Sequence, residues 1–264
     1  MGVVVSDNFS NKKLEGFLNN AACPKIDNES KAYRHLVKAD ALRIKNYFWE
    51  SIDEYLNALK YDDTSLDAYI GLGYSYKQVG CVKSALDSFN NAKKLAPFDK
   101  RIYFEAGCCY CIDHKFDQAI AEYKKALKLY PNFLEAKFNL AFAYELNNQC
   151  FLAIEEYTEI IEEYPEHAKS YNNLGSLYMK LDLYKKAIKV FKDLIKIDSR
   201  NPRAYLGIAI CFDKLRDRNI ALRYYKKHLK IKPNSENLPY ILERIDELCR
   251  IKSAVKKSHL MLVS

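Results

Sequence analysis

A period of 34 residues runs through most of this 264-residue chain and limits the folds that it can adopt. Pro97, Pro131 and Pro165 stand 34 residues apart, and Pro233 follows two periods later. A repeat of this length is typical of one supersecondary unit that buries its apolar face only by stacking on its neighbours. The chain is therefore predicted to be a repeat array.

Columns of small and aromatic residues share this period and indicate the secondary structure of each unit. The small columns are Gly73, Gly107, Ala141, Gly175, Ala209 and Ala85, Ala119, Ala153, Ala187, Ala221, and the aromatic columns are Tyr76, Tyr110, Tyr144, Tyr178, Phe212 and Phe89, Tyr123, Tyr157, Phe191, Tyr225. Apolar residues between them follow the spacing of two amphipathic helices per unit. With only 8 Gly and 7 Pro, the chain has few turn residues for a sandwich or a barrel. The predicted fold class is all-α.

These columns resemble the signature of the tetratricopeptide repeat family. One copy fills every signature position, with Tyr69, Leu72, Gly73, Tyr76, Ala85, Phe89, Ala92 and Pro97. An earlier copy is degraded and keeps Tyr55 and Ala58. The resemblance implies a right-handed superhelical solenoid of about six helical hairpins, closed by a C-terminal capping helix.

The period divides the chain into four segments. Residues 1–28 lie outside it and are predicted to be largely disordered. Residues 29–235 form the array, with repeats near 32–65, 66–99, 100–133, 134–167, 168–201 and 202–235. Residues 236–252 carry a one-sided apolar stripe that predicts the capping helix, and residues 253–264 form a basic tail.

The first residues lack the basic flank and long apolar region of a secretory signal, and no apolar stretch approaches the length of a membrane span. We therefore expect a cytoplasmic protein. Its eight cysteines are unevenly spaced, unlike those of a disulfide scaffold, and are expected to be reduced.

No catalytic motif accompanies the repeats, so we predict a protein that is not an enzyme and needs no cofactor. Cys108, Cys111 and His114 have the spacing of one helical face and form a weak metal-site candidate. A fourth ligand is missing, and no metal site is predicted. Cys109 and Cys211, three whole periods apart, are interpreted as small buried packing residues.

The family resemblance implies that the first helices of successive repeats line a concave groove that binds a peptide or protein partner. The groove candidates are Tyr74, Lys77, Arg101, Phe104, Cys108, Phe138, Asn139, Phe142, Lys169, Asn172 and Asn173. Phe104 and Phe138 have two interpretations that the sequence leaves open, because they suit either ligand anchors or packing between repeats.

Charge divides the chain and supplies an alternative function. Residues 168–264 hold 22 Lys and Arg against 9 Asp and Glu, which suggests binding of nucleic acid or another anionic surface. Two observations disfavour this alternative. Glu155 and Glu162, one repeat before Lys189 and Lys196, are expected to neutralise part of the charge, and no aromatic platform is expected among the basic residues. The partner's identity and the oligomeric state are not predicted.

Overall fold

The computed structural model describes the backbone of residues 28–263 and the side chains of residues 28–250. This part of the chain forms thirteen α-helices and contains no strand. The predicted all-α fold class is confirmed. The disorder predicted for residues 1–28 concerns a segment that lies outside the described residues, apart from Asn28 itself. The chain divides into two compact units between Ala96 and Pro97.

The first unit contains two helical hairpins. They are α1 (Asn28–Ile44) with α2 (Phe48–Tyr61), and α3 (Leu66–Gln78) with α4 (Val82–Leu95). Each helix packs on its hairpin partner, and α2 also packs on α3. Ile52, Tyr55 and Leu72 lie in the core between these helices.

The second unit contains four hairpins and one further helix. The hairpins are α5 (Lys100–Ile112) with α6 (Phe116–Leu129), α7 (Leu134–Leu146) with α8 (Cys150–Glu163), α9 (Ala168–Lys180) with α10 (Tyr184–Ile197), and α11 (Pro202–Lys214) with α12 (Arg218–Ile231). The second helix of each hairpin packs on the first helix of the next. The hairpins therefore stack in chain order, as expected for a solenoid.

The last helix, α13 (Leu238–Val263), follows the fourth hairpin of the second unit. Ile241 and Leu248 are buried in a cluster with Ala221 and Tyr225 of α12. The helix covers the apolar face that the last hairpin would otherwise expose. Its backbone continues through residues 253–263, which belong to the segment described above as a basic tail.

The turn inside every hairpin contains one residue with a positive φ angle. These residues are Asn46, Gly80, His114, Asn148, Asp182 and Arg216, with φ between 56° and 80°, and they follow one another at intervals of 34 residues. Left-handed backbone ends many helices, and Gly, Asn and Asp adopt it most readily. His114 and Arg216 adopt it at a larger steric cost. Six such turns identify six hairpins in the described part of the chain.

Glycines occur where a helix meets an aromatic ring edge. A Cβ atom at Gly207 would lie 2.4 Å from Phe191, and one at Gly175 would lie 2.5 Å from the same ring. Gly71 has the same relation to Tyr55, at 2.2 Å. Distances below 3.0 Å are shorter than real side-chain contacts. Glycine at these three positions is therefore favoured by packing against the ring. Of the three, Gly175 belongs to a small-residue column of the period, whereas Gly71 and Gly207 share a column with Asn139 and Asn173.

Among the helices that the structure describes, none is both long enough and apolar enough to cross a membrane.

Candidate functional site

The predicted groove residues lie on the first helix of each hairpin. Tyr74 and Lys77 belong to α3 of the first unit, and the other nine belong to α5, α7 and α9 of the second. Within the first unit, the Lys77 ammonium lies 4.6 Å from the centre of the Tyr74 ring, and the Arg43 guanidinium lies 5.8 Å from it. This ring is thus shared by two cations.

Phe104 and Phe138 are half-buried and pack between helices. The Phe104 ring lies 5.0 Å from Phe133 and 5.9 Å from Tyr123. Phe138 occupies the equivalent place one repeat later, with its ring centre 5.2 Å from that of His167 and 5.8 Å from that of Tyr157. These contacts give both rings a packing role between hairpins.

Cys108 and Asn139 belong to a hydrogen-bonded cluster around a buried tyrosine. The Tyr123 hydroxyl lies 3.5 Å from the Cys108 sulfur and 3.6 Å from the Cys111 sulfur. Asn139 on α7 donates from its amide to Cys108 at 3.5 Å, so the cluster joins two hairpins. Burial raises the pKa of Cys111, although the Tyr123 hydrogen bond partly opposes it. A thiol with a raised pKa is a weak nucleophile at neutral pH.

The weak metal candidate at Cys108, Cys111 and His114 does not assemble. No group of three His, Cys, Asp or Glu side chains within the described residues is suited to hold a metal ion. The physical reason is that α5 ends at Ile112, and His114 takes the left-handed conformation of the turn. Its ring is exposed and meets the edge of Phe116. Cys109, in contrast, is fully buried, as predicted, and so is Cys211.

The α9 candidates differ in exposure. Lys169 is exposed, whereas Asn172 and Asn173 are half-buried. Asn173 donates to the Tyr157 hydroxyl at 2.9 Å, which repeats the hairpin-to-hairpin bond of Asn139. The buried Oδ1 atom of Asn172 has no hydrogen-bond partner in the described part of the chain. Asn172 occupies the column that Phe104 and Phe138 fill in the two preceding repeats.

Three large apolar side chains are exposed on adjacent first helices. Phe142 and Leu146 of α7 expose 40% and 39% of their surface, and Ile112 of α5 exposes 51%. Leu146 stands 34 residues after Ile112, and Phe142 occupies the position of Cys108 one repeat later. Because α5 and α7 pack against each other, equivalent positions share one side of the unit. We call Ile112, Phe142 and Leu146 the apolar patch.

Charged residues flank the apolar patch. Glu145 stands next to Leu146 on α7, and the exposed Lys180 continues the column of Ile112 and Leu146 on α9. Arg101, which pairs with Asp99 at 2.6 Å, lies at the opposite end of α5 from Ile112. Burial raises the pKa of Glu145, while the Tyr157 hydroxyl partly opposes this by donating to it at 3.4 Å. The patch therefore has an apolar centre and a polar edge, as binding interfaces have. The sequence interpretation included Phe142 but missed Ile112 and Leu146. These two apolar residues stand 34 residues apart, so the period could have identified them as a pair at equivalent positions.

Two expectations concern the basic half of the chain. Glu162 of α8 and Lys189 of α10 line one surface cavity, so the two rows face each other there, although no ion pair within the described residues joins Glu155 or Glu162 to Lys189 or Lys196. Lys196 pairs instead with Asp193 in its own helix. An aromatic cluster also lies among the cations, contrary to the prediction, and consists of Tyr205, Phe212 and Tyr224. The sequence missed it because its rings come from two helices.

Comparisons with known proteins agree with this architecture. Sequence models of the tetratricopeptide repeat match residues 101–133, 135–167 and 168–201. No curated protein sequence matches the chain.

Solved structures resemble it in fold. The C-terminal part of a repeat-containing protein from Cytophaga hutchinsonii has 17% identity and a TM-score of 0.75, covering 85% of this chain and 90% of its own. PilF of Pseudomonas aeruginosa has 16% identity and a TM-score of 0.64, covering 82% and 98%. YrrB, described as having an unusual peptide-binding site, has 17% identity and a TM-score of 0.58, covering 72% and 97%.

Proposed function

Because this chain is a tetratricopeptide repeat protein, we propose that it is a non-catalytic scaffold that binds a partner peptide or protein through the first-helix side of its second unit. The observation that carries the proposal is the apolar patch of Ile112, Phe142 and Leu146, which no part of the described unit covers. Clustered exposed apolar groups with a polar rim are typical of protein interaction sites.

The patch has the properties of an anchor site for a short apolar segment. Phe142 is its aromatic member, and an aromatic side chain supplies a large contact area for little loss of conformational entropy. The helices beneath it are held by interlocked side chains, including the Asn139 and Asn173 hydrogen bonds between hairpins. A ligand would therefore meet a preorganised surface, which lowers the entropic cost of binding.

The packing roles of Phe104 and Phe138 refine this proposal. Both rings contribute to the stack between hairpins, so their substitution is expected to affect stability as well as binding. Phe142 is the better test position because its ring is substantially exposed. Because Phe138 can contribute to both packing and binding, a binding assay on a Phe138 variant alone would not separate a loss of stability from a loss of contact with the partner.

The test is affinity capture from native extract with quantitative mass spectrometry, after nuclease treatment and a high-salt wash. The binding variant combines Ile112→Gln, Phe142→Ser and Leu146→Gln. The matched control is Phe151→Ser, because Phe151 of α8 is 82% exposed and lies outside the patch. We expect a protein partner that the wild type and the control retain and that the triple variant loses. Equal retention by all three proteins would show that the patch does not bind the partner.

A further inference from the structure

We propose that the second helices α10 and α12 form a separate binding surface for single-stranded nucleic acid. Its cations are Lys185, Lys189, Lys192 and Lys196 of α10 and Arg223, Lys226, Lys227 and Lys230 of α12, which we call the basic surface. All eight are exposed. Lys196 is the one member that forms an ion pair within the described part of the chain. A surface with so many exposed cations favours a polyanionic ligand.

The spacing of the cations places them in rows. Lys189, Lys192 and Lys196 follow the i, i+3, i+7 pattern of one helix side, and successive members lie about 5–6 Å apart. Helix α12 holds five Lys and Arg and no Asp or Glu. Such rows fit a chain of phosphates better than a single anion, because each cation meets a different charge.

The aromatic cluster connects the two rows. The Lys192 ammonium of α10 lies 6.0 Å from the centre of the Phe212 ring, which stacks on Tyr224 of α12 at 6.1 Å and an interplanar angle of 21°. Tyr224 lies 6.1 Å from Tyr205, and Lys227 contacts both rings at 5.6 and 5.8 Å. Tyr205 and Phe212 belong to α11, so the rings of α11 and α12 connect the cations of α10 with those of α12. Proteins that bind single strands combine aromatic side chains, on which unpaired bases stack, with cations that contact the phosphates.

The same contacts argue against other polyanions. A membrane-binding surface needs protruding apolar groups, and neither α10 nor α12 holds a large exposed hydrophobic residue. An acidic peptide would use the cations but would leave the three rings without a planar partner. A duplex hides its base faces, so single strands gain more from this cluster.

The test measures binding of the full chain to a fluorescein-labelled 20-nucleotide uridine RNA by fluorescence anisotropy. The charge variant changes Lys189, Lys192, Arg223 and Lys227 to Gln. The matched control changes Lys83, Lys94, Lys124 and Lys128 of α4 and α6 to Gln, so both proteins lose four charges. We expect the charge variant to bind the RNA at least about tenfold more weakly than the wild type at equal salt. The control, which loses the same net charge elsewhere, should bind within about twofold of the wild type.

Salt dependence and ring removal supply further readouts. Four lost phosphate contacts should flatten the plot of log affinity against log salt by about 3, since each contributes about 0.7 for a single strand. Tyr224→Leu should weaken binding at least about fivefold without changing that slope. Circular dichroism checks that each variant is folded, and Tyr205→Leu replaces Tyr224→Leu if the latter is not.

Three results would overturn the proposal. The first is equal affinity of the charge variant and the control. The second is binding of polyglutamate, or of vesicles containing phosphatidylserine, at least as tightly as the RNA at the same salt. The third is an unchanged affinity after removal of the ring, which would leave charge alone as the cause of binding. The apolar-patch variant should bind RNA normally, so this test is independent of the proposed scaffold function.

Discussion

Replacing Gly207 by Ala tests whether close packing against the Phe191 ring requires glycine at this position. Ala is a better helix former than Gly by about 1 kcal/mol, so propensity alone predicts a more stable protein. The structure predicts the opposite. The added Cβ would lie 2.4 Å from Phe191, more than 1 Å inside the usual contact distance of about 3.5–4.0 Å.

The ring has little freedom to move away from the new methyl group. Phe191 is 2% exposed and lies close to Gly175 on its other edge, where a Cβ would be 2.5 Å away. Overpacking of a well-filled core costs about 1–3 kcal/mol, and a ring confined on two sides should be near the upper end. After subtraction of the propensity gain, the expected loss in free energy of unfolding is about 2 kcal/mol.

Urea unfolding followed by circular dichroism measures this loss, and hydrogen exchange locates it in α10 and α11. Repeat arrays do not always unfold in one step, so a common transition must be established before free energies are compared. The control is the same substitution in a Phe191→Leu background. There the clash is gone, and Gly207→Ala should stabilise the protein by up to about 1 kcal/mol. A higher urea midpoint for Gly207→Ala alone, or the same shift in both backgrounds, would refute the reasoning.

Two further substitutions have predicted effects on stability. His114→Gly should raise the urea midpoint, by about 0.5–1 kcal/mol in free energy of unfolding, because glycine adopts φ 56° without steric cost; a lower midpoint would contradict this. Glu156→Gln should stabilise the protein at neutral pH by a few tenths of a kcal/mol, because burial and then Glu159 raise the pKa of Glu156 and so disfavour its ionised form in the fold. Below the raised pKa, wild-type Glu156 is itself protonated, so unfolding measured across acidic pH should show the advantage disappearing; an advantage that persists there would rule out the electrostatic explanation.

The sequence predicted the helices well because packing restricts the residue type at each position of the period. Gly175 and Phe191 belong to a small column and an aromatic column, and both columns are visible in a single chain. Gly207 lies in a column that also holds Glu105 and Asn173, so its contact with Phe191 was not visible from the period. The turn column was harder to see, since His114 and Arg216 share a backbone conformation with Gly80 but not a side-chain type. Backbone angles can be conserved across repeats while residue identity is not.

The candidate surfaces were predicted less completely, for a different reason. The period predicts that Phe104 and Phe142 lie on the first helices of their respective hairpins, but it does not predict how much of either ring is exposed. That depends on neighbours such as Phe133, which lies beyond the helix. The cluster around Tyr224 likewise depends on a contact with Phe212 from another helix, which no linear pattern contains.

The charges of successive second helices have a consequence for how the protein meets other molecules. In the second unit, α8 holds five Glu and no Lys or Arg, α10 holds five Lys and one Asp, and α12 holds five cations and no acid. The change from an acidic helix to two basic helices gives the unit a permanent electric dipole along its stack. In the field of a charged partner, this unit experiences a torque that turns one end of its stack forward before collision. At physiological ionic strength this orientation acts over about 8 Å, so selection between partners of opposite charge begins before any side chains touch.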